Sequence, residues 1–328
     1  MTADELDLLA AETGFSGVVR ADRAGEVVLE RAYGLAHRGL GIPNEPGTRF
    51  GVASLTKGLT AVAVLSLVEE GTLAMETRAR DILGTDLPLV DAAVTVEHLL
   101  RHRSGIGDYL DESVDWQPTD HVLAVAPHRL ERTEDYLAVL GGHPQAFPPG
   151  TEFAYCNGGF VVLALLAERA SGTPFPALVH ARVCEPAGME DTAFDRGDEP
   201  ADRTALGYLE TDGLRTNVLH LPVCGSGDGG IVTTTADLRA FWTALFGGRL
   251  LAPATVAQLA TAPDGDPYGL GFWLDTPGLA LEGSDAGVSC RTLHDPERDV
   301  TVTVLANTSE GAWPIAKRLA VSPPWSPT

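Results

Sequence analysis

The chain has 328 residues, of which 44% are hydrophobic and 21% are charged, values typical of a soluble globular protein. Its formal net charge of -22 is spread along the chain, which excludes nucleic acid and anionic membranes as main partners. The first residues lack a basic, apolar leader, and no stretch reaches the roughly 18 apolar residues of a membrane span. The four cysteines are far apart and form no C-x-x-C pair. These features predict a cytoplasmic protein with reduced thiols and no zinc site.

The predicted elements begin with a short helix at residues 4–13, followed by strands at residues 15–21 and 26–35. From there to about residue 262 the pattern is mostly helical and is broken by long loops. Residues 111–130 show little periodicity, which predicts a mobile segment over a site. The last part returns to strands and ends in a helix, at residues 269–275, 279–283, 288–293, 300–307 and 310–320. Strands at both ends with helices between them predict one sheet built from the two termini, with a helical insertion beside it.

The stretch with the most distinctive chemistry is Ser54-Leu55-Thr56-Lys57, where a short apolar run meets a long apolar helical pattern. Serine is favoured at a helix start because its oxygen can accept from the N–H groups of the first turn. Lys57 lies about one turn on and on the same face, so its amine can approach the Ser54 hydroxyl. A lysine in an apolar helix loses solvation, and its pKa falls toward a range where it can take the serine proton. The simpler alternative is an N-cap serine followed by a surface lysine.

Tyr155 and Asn157 form a second candidate pair, two residues apart just before another helical pattern. In an extended backbone both side chains point to the same side, whereas the alternative is a packed tyrosine and an Asn N-cap. His98 and His102 at i, i+4 lack the acidic residue of a metalloprotease helix, so they are interpreted as structural and no metal is predicted. The glycine-rich run at residues 225–230 lacks the ending of a phosphate loop, which argues against nucleotide binding.

Taken in order, five segments resemble the serine β-lactamase family, specifically its class C and esterase branch with the related D-amino-acid peptidases. The resemblance extends from about Gly17 to the end of the chain, and the G-x-S-x-G of α/β-hydrolases does not occur in the sequence. The first segment corresponds to the family's S-x-x-K motif and the third to its Tyr-x-Asn motif. The five segments are Ser54–Lys57, Leu99–Tyr109, Pro149–Asn157, Pro186–Thr192 and Gly229–Leu238.

This resemblance implies an α/β (α+β) fold of the β-lactamase and transpeptidase type. An antiparallel sheet of N- and C-terminal strands, flanked by helices, would form one domain from residues 1–53 and 263–328. Residues 54–262 would form an inserted, mainly helical domain, and the active site would lie in the cleft between the two.

The resemblance also implies a role for each site residue. Ser54 would be the acylated nucleophile and Lys57 its hydrogen-bonded activator. Tyr155 would act as general base or proton relay, with its phenol made more acidic by the nearby ammonium. Asn157 would hold Lys57 and a substrate amide, and Tyr109 is expected among the substrate-binding residues.

The third family motif, normally a Lys or His followed by a small residue and Gly, departs from its pattern here. One register gives Asp285-Ala286-Gly287 and the other gives Leu281-Glu282-Gly283, and both lose the cation. Depending on the register, the oxyanion hole would combine the N–H of Ser54 with that of Val288 or Ser284.

An aspartate in place of the cation would change the charge preference of the cleft. If Asp285 points into it, the carboxylate would repel a substrate carboxylate and favour neutral or amine-bearing acyl donors. The alternative is that the strand turns Asp285 away to pair with Arg291 or Arg298. The predicted substrate-binding residues are therefore Asn157, Ser284, Asp285, Gly287, Val288 and Tyr109.

The sequence therefore predicts a serine hydrolase that cleaves small esters or amides through a Ser54 acyl-enzyme, without a cofactor. One alternative is an acyltransferase that uses the same acyl-enzyme. The other is a non-catalytic binding protein on the same fold, for which the altered third motif is the best support. The sequence makes no prediction of oligomeric state.

Overall fold

A six-stranded antiparallel sheet joins the two ends of the chain, in the order β2-β1-β10-β9-β8-β7. Two small two-stranded sheets, β3-β4 and β5-β6, lie outside it. The strands are β1 (Gly17–Arg23), β2 (Glu26–Tyr33), β3 (Leu35–His37), β4 (Ile42–Pro43), β5 (Phe50–Gly51), β6 (Val232–Thr233), β7 (Trp273–Asp275), β8 (Gly278–Asp285), β9 (Val288–Asp295) and β10 (Val300–Ala306). The predicted antiparallel sheet of N- and C-terminal strands is confirmed.

The computed structural model describes residues 1–110 and 117–321. Residues 111–116, part of the segment predicted to be mobile, and residues 322–328 lie outside the described residues. The helices are α1 (Ala3–Thr13), α2 (Thr56–Glu69), α3 (Ala79–Leu83), α4 (Val96–Leu100), α5 (Leu137–Leu140), α6 (Asn157–Ser171), α7 (Phe175–Val179), α8 (Glu185–Ala187), α9 (Thr235–Phe246), α10 (Pro253–Leu259) and α11 (Ala312–Val321).

Helices cover both faces of the sheet. On one face α1 and α11 pack together and α11 contacts β9 and β10, and Ile315 and Leu319 of α11 belong to one apolar cluster with Val304 of β10. On the other face α9 contacts β1 and β10, and its Trp242 donates a hydrogen bond to Thr292 of β9. The division of the chain into residues 1–53 with 263–328 and an inserted helical domain stays a prediction, and α9, which it assigns to the inserted domain, packs on the sheet.

Helix α2 is buried on nearly all sides, as its apolar pattern predicted. Every residue from Thr56 to Leu65 is buried, and the helix packs against α6 and α7. A helix that is apolar all round is stable only inside a protein, because no face of it gains from contact with water. Lys57 is therefore placed in the core by the residues on either side of it.

Two further features bear on the composition-based expectations. Within residues 1–110 and 117–321, none of the helices is both long and apolar enough to cross a membrane. The thiols of Cys156, Cys184, Cys224 and Cys290 are all free.

Burial of His294 on β9 predicts a loss of stability in mild acid. Its side chain is 3% exposed, stacks on Trp242, and shares a 2.9 Å hydrogen bond between Nδ1 and the Thr301 hydroxyl. Burial and, to a lesser extent, the charge of Arg239 lower the His294 pKa to about 4. The unfolded chain binds this proton at a higher pH than the folded protein does. The stability that depends on a neutral His294 is therefore complete above pH ~6.5 and is lost as the pH falls toward ~4.

From about pH 7.5 to pH 5, the unfolding free energy of the native protein should decrease by roughly 1–2 kcal/mol more than that of His294→Asn. Urea titrations of both proteins at the two pH values give the comparison. Equal losses in the two proteins would contradict the assignment.

Candidate active site

Ser54 lies in a 3₁₀ turn, Ala53–Leu55, between β5 and the start of α2. It does not cap α2: Leu55 is the N-cap residue, and no side chain caps that end. Ala53 has a φ of 42°, an uncommon left-handed conformation for a residue with a Cβ. The Val52 amide donates to the Ile231 carbonyl at 3.0 Å, which fixes the chain just before the turn. The Ser54 hydroxyl is thus left to interact with Lys57 and with a ligand.

The amine of Lys57 is the centre of the site. The residue is 1% exposed, and its Nζ donates to Ser54 Oγ at 2.9 Å, Asn157 Oδ1 at 2.7 Å and the Asp228 carbonyl at 2.8 Å. An ammonium has three N–H donors, and three oxygens stand at hydrogen-bond distance. A buried charge requires such partners, because desolvation without them is costly. The alternative of a surface lysine is wrong.

Asp228 was not predicted from the sequence. It lies in the glycine-rich run at residues 225–230, whose glycines allow the loop to approach the helices: a Cβ on Gly227 would lie 2.1 Å from the Phe160 carbonyl oxygen. The Thr60 hydroxyl of α2 donates to the Gly227 carbonyl at 2.7 Å. The run therefore serves to bring the Asp228 carbonyl to Lys57. Its glycine content was the available signal, but no local pattern showed what the loop approaches.

Tyr109 contacts the Asp228 side chain. Its hydroxyl donates to Asp228 Oδ2 at 2.5 Å. Burial raises the Asp228 pKa, and the neighbouring Lys57 charge and the Tyr109 hydrogen bond lower it again in part. Burial also raises the pKa of Tyr109 well above its usual value, and the Asp228 charge adds to this. Tyr109 is thus held as a neutral donor, and both residues line the cavity beside Ser54.

Tyr155 is also close to the Lys57 amine. The Lys57 Nζ is 5.0 Å from the centroid of its ring, and the ring stacks on Trp273 at 5.9 Å with an interplanar angle of 10°. Tyr155 and Ser54 line one cavity together. The structure therefore brings Ser54, Lys57, Tyr155 and Asn157 into one cluster.

Asn157 is the first residue of α6, and both ends of its amide are used. Its Oδ1 accepts from Lys57, and its Nδ2 donates to the Leu110 carbonyl at 3.1 Å. The carboxylate of Asp108 caps the helix start by accepting from the amides of Asn157 at 2.6 Å and Gly158 at 2.8 Å. The alternative of Asn157 as a simple N-cap is wrong, because Cys156 is the N-cap residue and Asp108 provides the capping oxygens.

Of the two registers of the third motif, the one that ends at Gly283 lies against Ser54. A Cβ on Gly283 would lie 2.2 Å from the Val52 carbonyl and 3.1 Å from the Leu55 amide nitrogen, so β8 can approach the turn only because residue 283 is glycine. Gly287, with φ 68°, lies instead in the β8–β9 turn and packs against Gly207.

In this register the cation position is taken by Leu281. Leu281 is buried, and its side chain fills the space in which a Cβ of Gly58 would stand, one residue after Lys57. The middle position is Glu282, which forms an ion pair with Arg291 on β9. Within this motif, apolar packing and a carboxylate replace the cation of the family pattern.

The pairing of β8 indicates where the Ser284 amide points. Asp285 pairs with Val288 across a two-residue turn, and Ser284 pairs with Ser289. Antiparallel pairs alternate between those that exchange hydrogen bonds and those whose amides face outward. The pair that flanks a two-residue turn exchanges hydrogen bonds, so Asp285 bonds to Val288 and the amide of the preceding Ser284 faces away from β9, on the side of β7. The Ser284 amide is therefore directed to that side, beyond the end of β7, where the strand edge borders the Ser54 cavity.

Asp285, Gly287 and Val288 line the first of two cavities that meet at Ser54, together with Tyr109, Asp228 and Ser284. The Asp285 carboxylate accepts from the Ala286 amide at 2.7 Å. Arg291 pairs with Asp275 and Glu282, and Arg298 pairs with Asp295 at 3.0 Å. The second cavity, on the Tyr155 side, is lined by Trp273, Glu282 and Trp313.

Across the described part of the chain, no three His, Cys, Asp or Glu side chains cluster in a way that could hold a metal ion. His98 belongs to the cap of α4, where it contacts Thr95, and His102 lies beneath Tyr155.

Comparison with known proteins places the chain in a family. The profile of the Beta-lactamase family matches residues 4–321, so the chain belongs to the Beta-lactamase family. The crystal structure of a penicillin-binding protein from Bacillus halodurans is similar, with a TM-score of 0.89 and 34% identity, and the match covers 96% of this chain and 99% of that one.

Two curated relatives are enzymes by name. The esterase EstB of Burkholderia gladioli is 37% identical over 180 residues, which are 52% of this chain and 45% of EstB. A D-aminopeptidase of Cereibacter sphaeroides (strain ATCC 17029 / ATH 2.4.9) is 27% identical over 328 residues, with 95% of this chain and 60% of the relative covered. The chain thus spans less than two thirds of either relative. The predicted fold and the predicted enzyme class, a serine hydrolase, are confirmed.

Proposed function

We propose that the protein cleaves small esters or amides through an acyl-enzyme on Ser54. The observation that carries this proposal is the buried Lys57 amine, which lies 2.9 Å from Ser54 Oγ and is also held by Asn157 and Asp228. A structural lysine in a fully apolar helix would cost desolvation energy without benefit, whereas a serine nucleophile requires an adjacent group to manage its proton.

The reaction would proceed in two steps. Ser54 Oγ bonds to the substrate carbonyl carbon as its proton passes to Tyr155, which acts as a phenolate paired with the Lys57 ammonium. The same pair then protonates the leaving alcohol or amine as the bond to the carbonyl carbon breaks, which leaves an ester on Ser54. Water attacks this ester, gives a proton to the pair and releases the acid, and the proton returns to Ser54 Oγ.

The oxyanion hole would consist of the N–H groups of Ser54 and Ser284. The outward direction of the Ser284 amide supports this choice over Val288, as does the contact of Gly283 with the turn that carries Ser54. Two such donors stabilise the negative charge that develops on the carbonyl oxygen in the transition state.

The charges around the cavity favour neutral or amine-bearing acyl donors. Asp228 and Asp285 line the cavity beside Ser54, while Leu281 occupies the place of the family's cation. A substrate carboxylate, such as that of a penicillin, would meet carboxylates in a partly dry cleft. This argues against a primary role on β-lactams.

Two alternatives share this site. An acyltransferase would differ only in the acceptor of the second step, an alcohol or amine in place of water. A non-catalytic binding protein would retain the cluster without forming an acyl adduct.

Cytoplasmic location remains part of the proposal, and the free thiols of the four cysteines are compatible with a reducing compartment.

A fluorophosphonate probe tests the nucleophile. We expect one phosphonyl group on Ser54, because the hydroxyl contacts Lys57 and opens to two cavities. Intact-mass and peptide mass spectrometry of the native protein and of Ser54→Ala give the result. Labelling that persists in Ser54→Ala would contradict the assignment, and a native protein that forms no adduct with ester, amide or β-lactam panels would favour the binding protein.

Lys57 and Tyr155 are expected to act as one proton-transfer unit. Lys57→Met and Tyr155→Phe should each lower kcat by roughly 100-fold or more, the usual scale for a positioned acid–base group. The double variant should lose little more than either single one, because groups that act as a unit are not additive. Steady-state kinetics on an activated ester measures all three variants. Near-normal turnover in Tyr155→Phe would mean that the base lies elsewhere.

Asp285 is expected to set the charge preference of the acyl group. In Asp285→Asn, the ratio of kcat/KM for matched cationic and anionic esters should fall about 5- to 30-fold, equivalent to roughly 1–2 kcal/mol, because a partly desolvated charge pair is lost. A neutral ester of the same shape serves as the reference. An equal change for all three substrates would show that Asp285 is structural.

A further inference from the structure

His102 holds the backbone at two points, one within the Tyr155-Cys156-Asn157 triplet and one just before it. Its Nδ1 accepts a hydrogen bond from the Cys156 amide at 3.1 Å, and its carbonyl accepts one from the Ala154 amide at 2.9 Å. The central amide of the triplet is therefore tied to an imidazole, although the triplet belongs to no strand of the sheet.

The His102 ring also forms the surface on which Tyr155 rests. The side chain is 1% exposed, and its ring centroid is 4.4 Å from that of Tyr155, 4.9 Å from that of Phe160 and 4.6 Å from that of Tyr268. Displacement of this ring would move the phenol relative to Lys57, whose Nζ is 5.0 Å from the Tyr155 centroid.

The chemistry of the ring is fixed by these contacts. Burial lowers the His102 pKa well below its usual value, and the Lys57 charge lowers it further, so the imidazole is neutral. Since Nδ1 accepts a hydrogen bond, the proton is on Nε2. The buried Nε2 has no hydrogen-bond partner within the described residues. An apolar side chain would avoid this unsatisfied donor, which indicates that the acceptor Nδ1 is the functional part of the ring.

We propose that His102 is a positioning residue for the reaction, whose Nδ1 fixes the Cys156 amide and thereby sets Tyr155 against Lys57. The proposal rests on the proposed function of Ser54. Asp108 complements it, because its carboxylate holds the next two amides, those of Asn157 and Gly158. Both residues belong to the segment that follows α4, and this segment therefore holds the backbone that carries Tyr155 and Asn157.

Two substitutions at position 102 separate the acceptor from the packing. His102→Leu retains apolar volume but removes the acceptor. His102→Asn removes the ring but places Oδ1 at the same branch position as Nδ1. Asparagine also tolerates the left-handed backbone of residue 102, whose φ is 55°. If His102→Leu does not fold, His102→Met takes its place, since its unbranched chain adapts to irregular cavities.

A matched control is available on the sheet. His294 is also buried, stacks on aromatic rings and uses Nδ1 in a hydrogen bond, but the partners in these contacts lie in β10 and α9. His294→Leu should lower thermal stability and leave kcat of the folded enzyme unchanged.

The measurements are kcat and KM for an activated ester, the rate of Ser54 labelling by a fluorophosphonate, and the melting temperature of each variant. We expect His102→Leu to lower kcat and the labelling rate roughly 10- to 100-fold, the scale of a small misplacement of catalytic groups, with KM little changed. His102→Asn should recover most of this loss, even if its melting temperature is lower than that of His102→Leu.

Two results would overturn the positioning role: an unchanged kcat in His102→Leu, or a loss in His102→Asn as large as in His102→Leu. The second would show that the ring acts by packing alone. A failure of the proposed function looks different, because Ser54 of the native protein would then remain unlabelled.

Discussion

The site depends on a single buried ammonium. Lys57 belongs to the buried helix α2, and its three N–H groups are directed to oxygens from three separate parts of the chain. A charge in such a place is tolerated only when its partners are fixed, because each missing hydrogen bond would leave part of the charge desolvated. The 3₁₀ turn, the start of α6 and the loop at residues 225–230 are therefore fixed relative to one another by the same group.

The same requirement accounts for the surroundings of the cluster. Thr60 fixes the loop that carries Asp228, and Asp108 fixes the helix start that carries Asn157. The hydrogen bond between Tyr109 and Asp228 connects the cavity wall to this loop. Each contact restricts one of the acceptors of Lys57, so the geometry at Ser54 depends on packing well beyond the cavity.

Local sequence patterns predicted those parts of the site that depend on short spacings. The three-residue separation of Ser54 and Lys57 on a helical pattern was enough to predict their contact, and alternating and apolar patterns near the termini predicted the sheet. The contact between Lys57 and Asp228 joins residues 171 positions apart and has no local signature. The proposed role of His102 and the choice of Gly283 over Gly287 were equally hidden, because each depends on a backbone approach that only the folded chain shows.

The packing of Leu281 on Gly58 couples two positions that are far apart in sequence. Leu281 occupies the space that a side chain at position 58 would need, so a larger residue at one position requires a smaller one at the other. Replacing Leu281 with lysine would place a second ammonium near Lys57 in a part of the core shaped for a branched apolar chain. Engineering a carboxylate-binding variant of this protein would therefore require changes in both α2 and β8, since neither surface can be altered independently.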